Sequence, residues 1–129
     1  MKKFLVILVL GLLWCNVGFA GWKKVATPLG NKGAIYIDTQ SIQKIGNKVI
    51  FLQLNSYTTP LSVGEMIWYS DIAKVEADCT KKNLRELSIA YYKQRMGIGE
   101  IIMLDDNLSD WYPSEPGSIQ VSAINYACK

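Results

Sequence analysis

The sequence has 129 residues, a formal net charge of +3, three cysteines and no histidine. That length fits one small domain, and the missing histidine excludes Ser-His-Asp and Cys-His catalysis within the chain. No GxxxxGK[ST] or GxGxxG phosphate loop is present.

The chain opens with Lys2 and Lys3, then the apolar run FLVILVLGLLW (4–14), then Gly18 and Ala20 at the −3 and −1 positions of a cut after Ala20. This is the three-part pattern of a secretory signal peptide over residues 1–20. The run is shorter than the roughly 20 apolar residues that a membrane span needs. A lipoprotein signal would want a small residue before Cys15, and Trp14 stands there. Export leaves residues 21–129 with 12 basic and 11 acidic side chains, because Lys2 and Lys3 leave with the leader. A net charge of +1 gives no electrostatic footprint for nucleic acid, and export argues against such a partner independently.

GWKKVA (21–26) reads as a first strand, and TPLGNKG (27–33) as a turn. AIYIDT (34–39) alternates and is rich in β-branched and aromatic residues, so it reads as a strand. QSIQKIGN (40–47) reads as a short turn capped by Ser41, with a reversal at Gly46-Asn47. KVIFLQLNSYT (48–58) is the strongest strand. Ile50, Leu52 and Leu54 face one way and Phe51, Gln53, Asn55 and Tyr57 the other. Pro60 is expected to end it, with SVGEM (62–66) as a loop.

In DIAKVEADC (71–79), Ala73, Val75, Ala77 and Cys79 share an inward face, and Lys74, Glu76 and Asp78 share a wet one. Such alternation is the mark of an antiparallel sheet. TKKN (80–83) is then a turn. LRELSIAYYKQ (84–94) fits both a strand and a helix face, and the short turn before it favours a hairpin. MGIGE (96–100) reads as a turn or bulge, and IIML (101–104) as a short strand. LDDNLSDW (104–111) lacks the acidic spacing and closing glutamate of an EF-hand calcium loop, and reads as solvated. At the end the period changes: Ser118 is an N-cap after Pro116-Gly117, and Ile119, Ala123, Tyr126 and Ala127 recur at helical spacing.

With Cys15 gone, Cys79 and Cys128 remain. An even pair in a small exported domain favours a disulfide over a free thiol or a metal site. Without histidine, two isolated cysteines lack both a nucleophile's base and a ligand set. The bond would staple the C-terminal helix to the central hairpin. No nucleophile–base pair, cofactor motif or metal set can be named, so the expectation is a non-enzymatic protein without cofactor or metal.

YIDTQSI, GNKVIFLQLNSY, VEADCTKKNLRELSIAYY, MGIGE, Trp111 and PGSIQVSAINYAC follow one another along nearly all of residues 21–129. This ordered set resembles the surface-adhesin protein E family of small exported Gram-negative domains. The resemblance implies an α+β fold, with an antiparallel sheet of about six strands and a C-terminal helix held by the disulfide. It implies a protein of the periplasm or outer cell surface that binds host extracellular-matrix or serum proteins, including vitronectin and laminin. It also implies a binding segment over residues 80–95, where Lys81, Lys82, Arg85, Lys93 and Arg95 stand and Glu86 interrupts the run.

The Lys81-Lys82-x-x-Arg85 cluster suits an acidic or sulfated partner, against the alternative of a solvated turn. Trp68-Tyr69 and Trp111-Tyr112 suit a ligand groove or interface, against the alternative of core or core rim. A third reading is a periplasmic structural or envelope-interaction protein, dimeric through an unpaired sheet edge.

Overall fold

The computed structural model describes residues 21–27 and 32–129. Residues 1–20, expected to be a signal peptide, and residues 28–31 of the first turn lie outside the described residues. β1 (Trp22–Ala26), β2 (Gly33–Asp38), β3 (Gln43–Ile45), β4 (Lys48–Val63), β5 (Met66–Asp78), β6 (Asn83–Tyr92), β7 (Ile101–Asp105) and β8 (Tyr112–Pro113) form one antiparallel sheet, followed by α1 (Ile119–Ala127). Six strands make the main path, in the order β1-β2-β4-β5-β6-β7. β3 adds to β4, and β8 adds to β6.

The long β4–β5 hairpin is the spine. Its alternation puts Val49 and Phe51 beside Ala77 and Val75 on one face, where Ile37, Ala73 and Leu84 join them. α1 lies on this face through Ala123, Ile124 and Ala127. Ser118 caps the helix, accepting a hydrogen bond from the Val121 amide. Of the expected stripe, Ala123 and Ala127 are buried and Tyr126 packs against the core, while Ile119 is exposed and Ile124 is buried instead. Cys79 and Cys128 are bonded, with Cα atoms 5.8 Å apart.

Farther along the sheet, the other face is closed by a tight turn at Arg95–Gly97. Ser56 and Ser70 pair across β4 and β5, and both are buried. Their hydroxyls are satisfied by this turn. Ser56 accepts from the Met96 amide; Ser70 accepts from the Gly97 amide and donates to the Gln94 carbonyl. Leu54 is buried beneath it. Gly97 has φ +66, and a Cβ there would sit 2.7 Å from Ile72 Cδ1.

Four expectations need correction. β4 does not stop at Pro60: it continues to Val63, because the register shift between Ser56 and Leu61 takes Pro60 out of the regular ladder. Only Gly64 and Glu65 separate β4 from β5, so 62–66 is not a loop. Residues 43–45 are a strand rather than a capped turn, since the Gly46 reversal (φ +62) folds them back on Lys48–Ile50. Asp78 is not on a wet face: it is little exposed, because its carboxylate caps the next turn.

Gly97→Ala should destabilise the protein by at least about 1 kcal/mol, the usual penalty for a Cβ in left-handed backbone. A urea denaturation midpoint unchanged by the substitution would show that the turn does not hold this face.

Candidate functional site

The turn after β5 is built on Asp78. Its Oδ1 accepts from the amides of Thr80 and Lys81, both at 2.9 Å, and from Asn47 Nδ2 at 3.4 Å. The Lys81 amide is the main reason the Asp78 carboxyl is held below the usual aspartate range. The Cys79 amide bonds the Asn47 carbonyl at 2.8 Å, and the Lys82 amide bonds the Asp78 carbonyl at 2.9 Å with Lys82 at φ +56. The turn therefore aims Cys79 at the helix and leaves Lys81 exposed.

Strand parity then separates the basic residues. Leu84 belongs to the core under the helix, so Arg85 points to the opposite face. There Arg85 Nε meets Glu76 Oε1 at 2.6 Å, and its guanidinium lies 4.7 Å from the Trp111 ring centroid. Lys48 Nζ stands 5.4 Å from the same ring. Lys82 turns the other way, its Nζ donating to Asn125 Oδ1 of the helix at 2.7 Å. Lys93 and Arg95 lie beyond the far end of β6, whose last residue, Tyr92, is roughly 23 Å along the strand from Arg85 at 3.3 Å per residue. Arg95 donates to the Tyr57 and Thr58 carbonyls and faces Tyr69 at 5.6 Å. Tyr69, Lys93, Gln94, Arg95, Met96 and Ile98 line an open cavity of about 400 Å³.

The aromatic pairs are likewise divided. Trp111 has two cations near its ring, while Tyr112 donates to Glu86 Oε1 at 2.6 Å, and its hydroxyl is pushed up chiefly by burial, then by that carboxylate. Trp68 is buried, edge-on to Tyr91 at 5.1 Å. Its indole N–H donates to Asp71 Oδ2 at 3.1 Å. Asp71 also accepts from Asn55 Nδ2 at 2.7 Å and from the Tyr57 hydroxyl at 2.9 Å. Burial raises the Asp71 carboxyl, against the lowering effect of those three donors. The Tyr57 hydroxyl is raised by its own burial and by Asp71.

Sequence reasoning missed Lys48 and Asp71. Lys48 was legible through parity, because it and Asp78 end the two paired strands. Asp71 was placed at the start of a strand, and nothing local marks its three donors, which come from positions 55, 57 and 68. Among the described residues no group of acidic, histidine and cysteine side chains is placed to hold a metal ion. Among them too, no helix is long and apolar enough to cross a membrane.

These features define a class: a disulfide-clasped sheet-and-helix domain whose open face carries an aromatic ring with two cations beside it. The chain belongs to the surface-adhesin protein E family, whose profile matches residues 22–129. That membership makes it an adhesin-like surface protein of bacteria. Two crystal forms of Haemophilus influenzae protein E superpose with TM-scores of 0.64 and 0.65 at 16% identity, over 84% of this chain and 84% and 87% of theirs. Protein E from non-typeable Haemophilus influenzae gives a TM-score of 0.60 at 17% identity, over 84% of this chain and 76% of its own. Identities this low show the shared fold. No curated protein sequence matches the chain.

The lowered Asp78 carboxyl predicts an acid-dependent loss. Its contribution to stability is fully present above the unfolded aspartate value of about 4 and is lost as pH falls through the lower folded value. Denaturation midpoints of the wild type and Asp78→Asn, followed from neutral to acid pH, should therefore converge at the acid end. A gap independent of pH would contradict this account of the turn.

Proposed function

We propose that the chain is an exported, non-enzymatic binding domain of adhesin type. Its partners on this reading are host extracellular-matrix or serum proteins, with vitronectin and laminin the ones implied by the family resemblance. Family membership supports the adhesin character. One structural observation carries the site: Trp111, half-buried on the face away from the helix, has the Arg85 guanidinium and the Lys48 ammonium at its ring.

Tryptophan and arginine dominate the energetics of protein interfaces when a partner excludes water from them. The ion pair with Glu76 holds the guanidinium in place beside the ring, so little side-chain freedom remains to be lost on binding. Exposed Lys81 lies in the turn beside this cluster and adds positive charge. An acidic or sulfated surface is the complement. Lys93 and Arg95, with Tyr69, form a separate basic and aromatic surface at the other end of β6. A partner that touches both ends must be large, which suits a matrix protein more than a small ligand.

The test is binding of protein purified after export to immobilised vitronectin and laminin at low and physiological salt. Wild-type binding should weaken with salt, and Trp111→Ala and Arg85→Ala should each weaken it about thirtyfold, the effect of a strong interface residue. Circular dichroism of each variant checks the fold. Folded wild-type protein that binds neither partner would move the function to a periplasmic envelope role, with co-purification of an envelope component as its own test.

A further inference from the structure

We propose that the free end of the β4–β5 hairpin is a membrane-binding arm, seated in the interface of an anionic lipid surface. β2 makes its last pair with β4 at Tyr57, and β6 makes its last pair with β5 at Ser70. Beyond them, among the described residues, the stretch from Leu61 to Trp68 pairs only with itself. A lone two-stranded hairpin is marginal in water, yet this one is apolar: Val63 is 70% exposed, Ile67 53% and Leu61 40%. Glu65, at the turn, is the one charged side chain of that stretch.

The pairing of the arm selects its occupant. Leu61 pairs with Trp68 and Val63 with Met66, so these four share one face; Ser62 and Ile67 form the pair between them and share the other. Apolar side chains therefore stand on both faces of the arm. A groove in a protein partner covers one face, and an added strand covers one edge, whereas a lipid surface takes in the whole end.

Cations surround the root. The Arg95 guanidinium donates to the Tyr57 and Thr58 carbonyls and lies 5.6 Å from the Tyr69 ring centroid, so it touches both strands where they leave the sheet. Lys24 lines a cavity with Thr58 and Arg95, the Lys32 carbonyl accepts the Thr58 amide, and Lys93 lines the cavity beside Tyr69. All four cations are exposed. Glu100, joined to Lys93 through the backbone, opposes them with a single carboxylate. Met66 stands roughly 13 Å along β5 from Ser70 at 3.3 Å per residue, and a headgroup layer is on the order of 5–7 Å deep. The collar thus rests on lipid phosphates while the tip reaches the acyl boundary. Glu65 and the unpaired backbone edges of the arm keep the contact shallow. The Trp111 cluster lies at the opposite end of the hairpin, beside Lys48, and this inference does not depend on it.

Protein purified after export would be sedimented with vesicles of phosphatidylcholine, and of phosphatidylcholine mixed with phosphatidylglycerol. The mixed vesicles should bind it at least about tenfold more tightly, an advantage that salt removes. Val63→Asp with Ile67→Asp, both at exposed positions, should weaken that binding at least about tenfold. Lys24→Glu with Lys93→Glu should reduce the advantage of the mixed vesicles, and Glu65→Gln should tighten binding. Circular dichroism checks the fold of each variant. An environment-sensitive fluorophore on Val63→Cys should shift its emission to the blue on mixed vesicles, reporting entry of the tip. No binding to either vesicle, binding that survives both aspartates, or a fluorophore whose emission does not move would overturn the proposal. So would a concentration-dependent dimer broken by the same aspartates, since a second copy would then be the occupant.

Discussion

The bond between Cys79 and Cys128 holds the last helix against the sheet, and the sealed core depends on it. α1 has nine residues, too few to persist in water alone. It buries two alanines and one isoleucine, and full burial of an isoleucine contributes only about 1.5–3 kcal/mol. Closing a loop with a separation of 49 residues contributes about 4 kcal/mol in the chain-entropy model. The covalent term is therefore the larger one. What it protects is larger still, because Ile37, Val49, Phe51 and Val75 would face water if the helix left. The Asp78 turn belongs to the same device, since it directs Cys79 towards the helix and in doing so fixes the backbone that carries Lys81.

The other end of the sheet is organised by polar contacts. Asp71 replaces apolar packing there with a carboxylate that gathers Asn55, Tyr57 and Trp68. A buried carboxylate is tolerated only when its oxygens are well supplied with donors, and three donors from two strands meet that condition. On the opposite face, Ser56 and Ser70 are buried for the same kind of reason, each tied to the turn at Arg95–Gly97. The spine hairpin is thus clasped by a disulfide near Asp78 and by hydrogen bonds near Asp71. The Trp111 and Tyr69 surfaces proposed for binding sit at these two anchored ends.

Legibility followed local period. Ala73, Val75 and Ala77 alternate cleanly with charged neighbours, so β5 and its buried face were readable, as was the Ser118 cap. β3 and β8 were not, because two or three residues carry no period of their own and exist only by pairing with β4 and β6. Pro60 misled because a proline ends a regular ladder, while here it lies within an irregularity that tolerates it. The basic residues look like one group in the sequence. The structure sends Arg85 and Lys82 to opposite faces and Lys93 and Arg95 to the far end, since alternation and strand length disperse what is adjacent in the chain. The partners of Trp111 come from β4 and β6, a tertiary coincidence with no local signature.

Native-state hydrogen exchange with the disulfide intact and reduced tests the central claim most directly. If the clasp holds the helix, amides of α1 should exchange at least about tenfold faster after reduction, reporting its release from the sheet. Equal protection of α1 in both states would contradict the account and leave apolar packing as what seals the core.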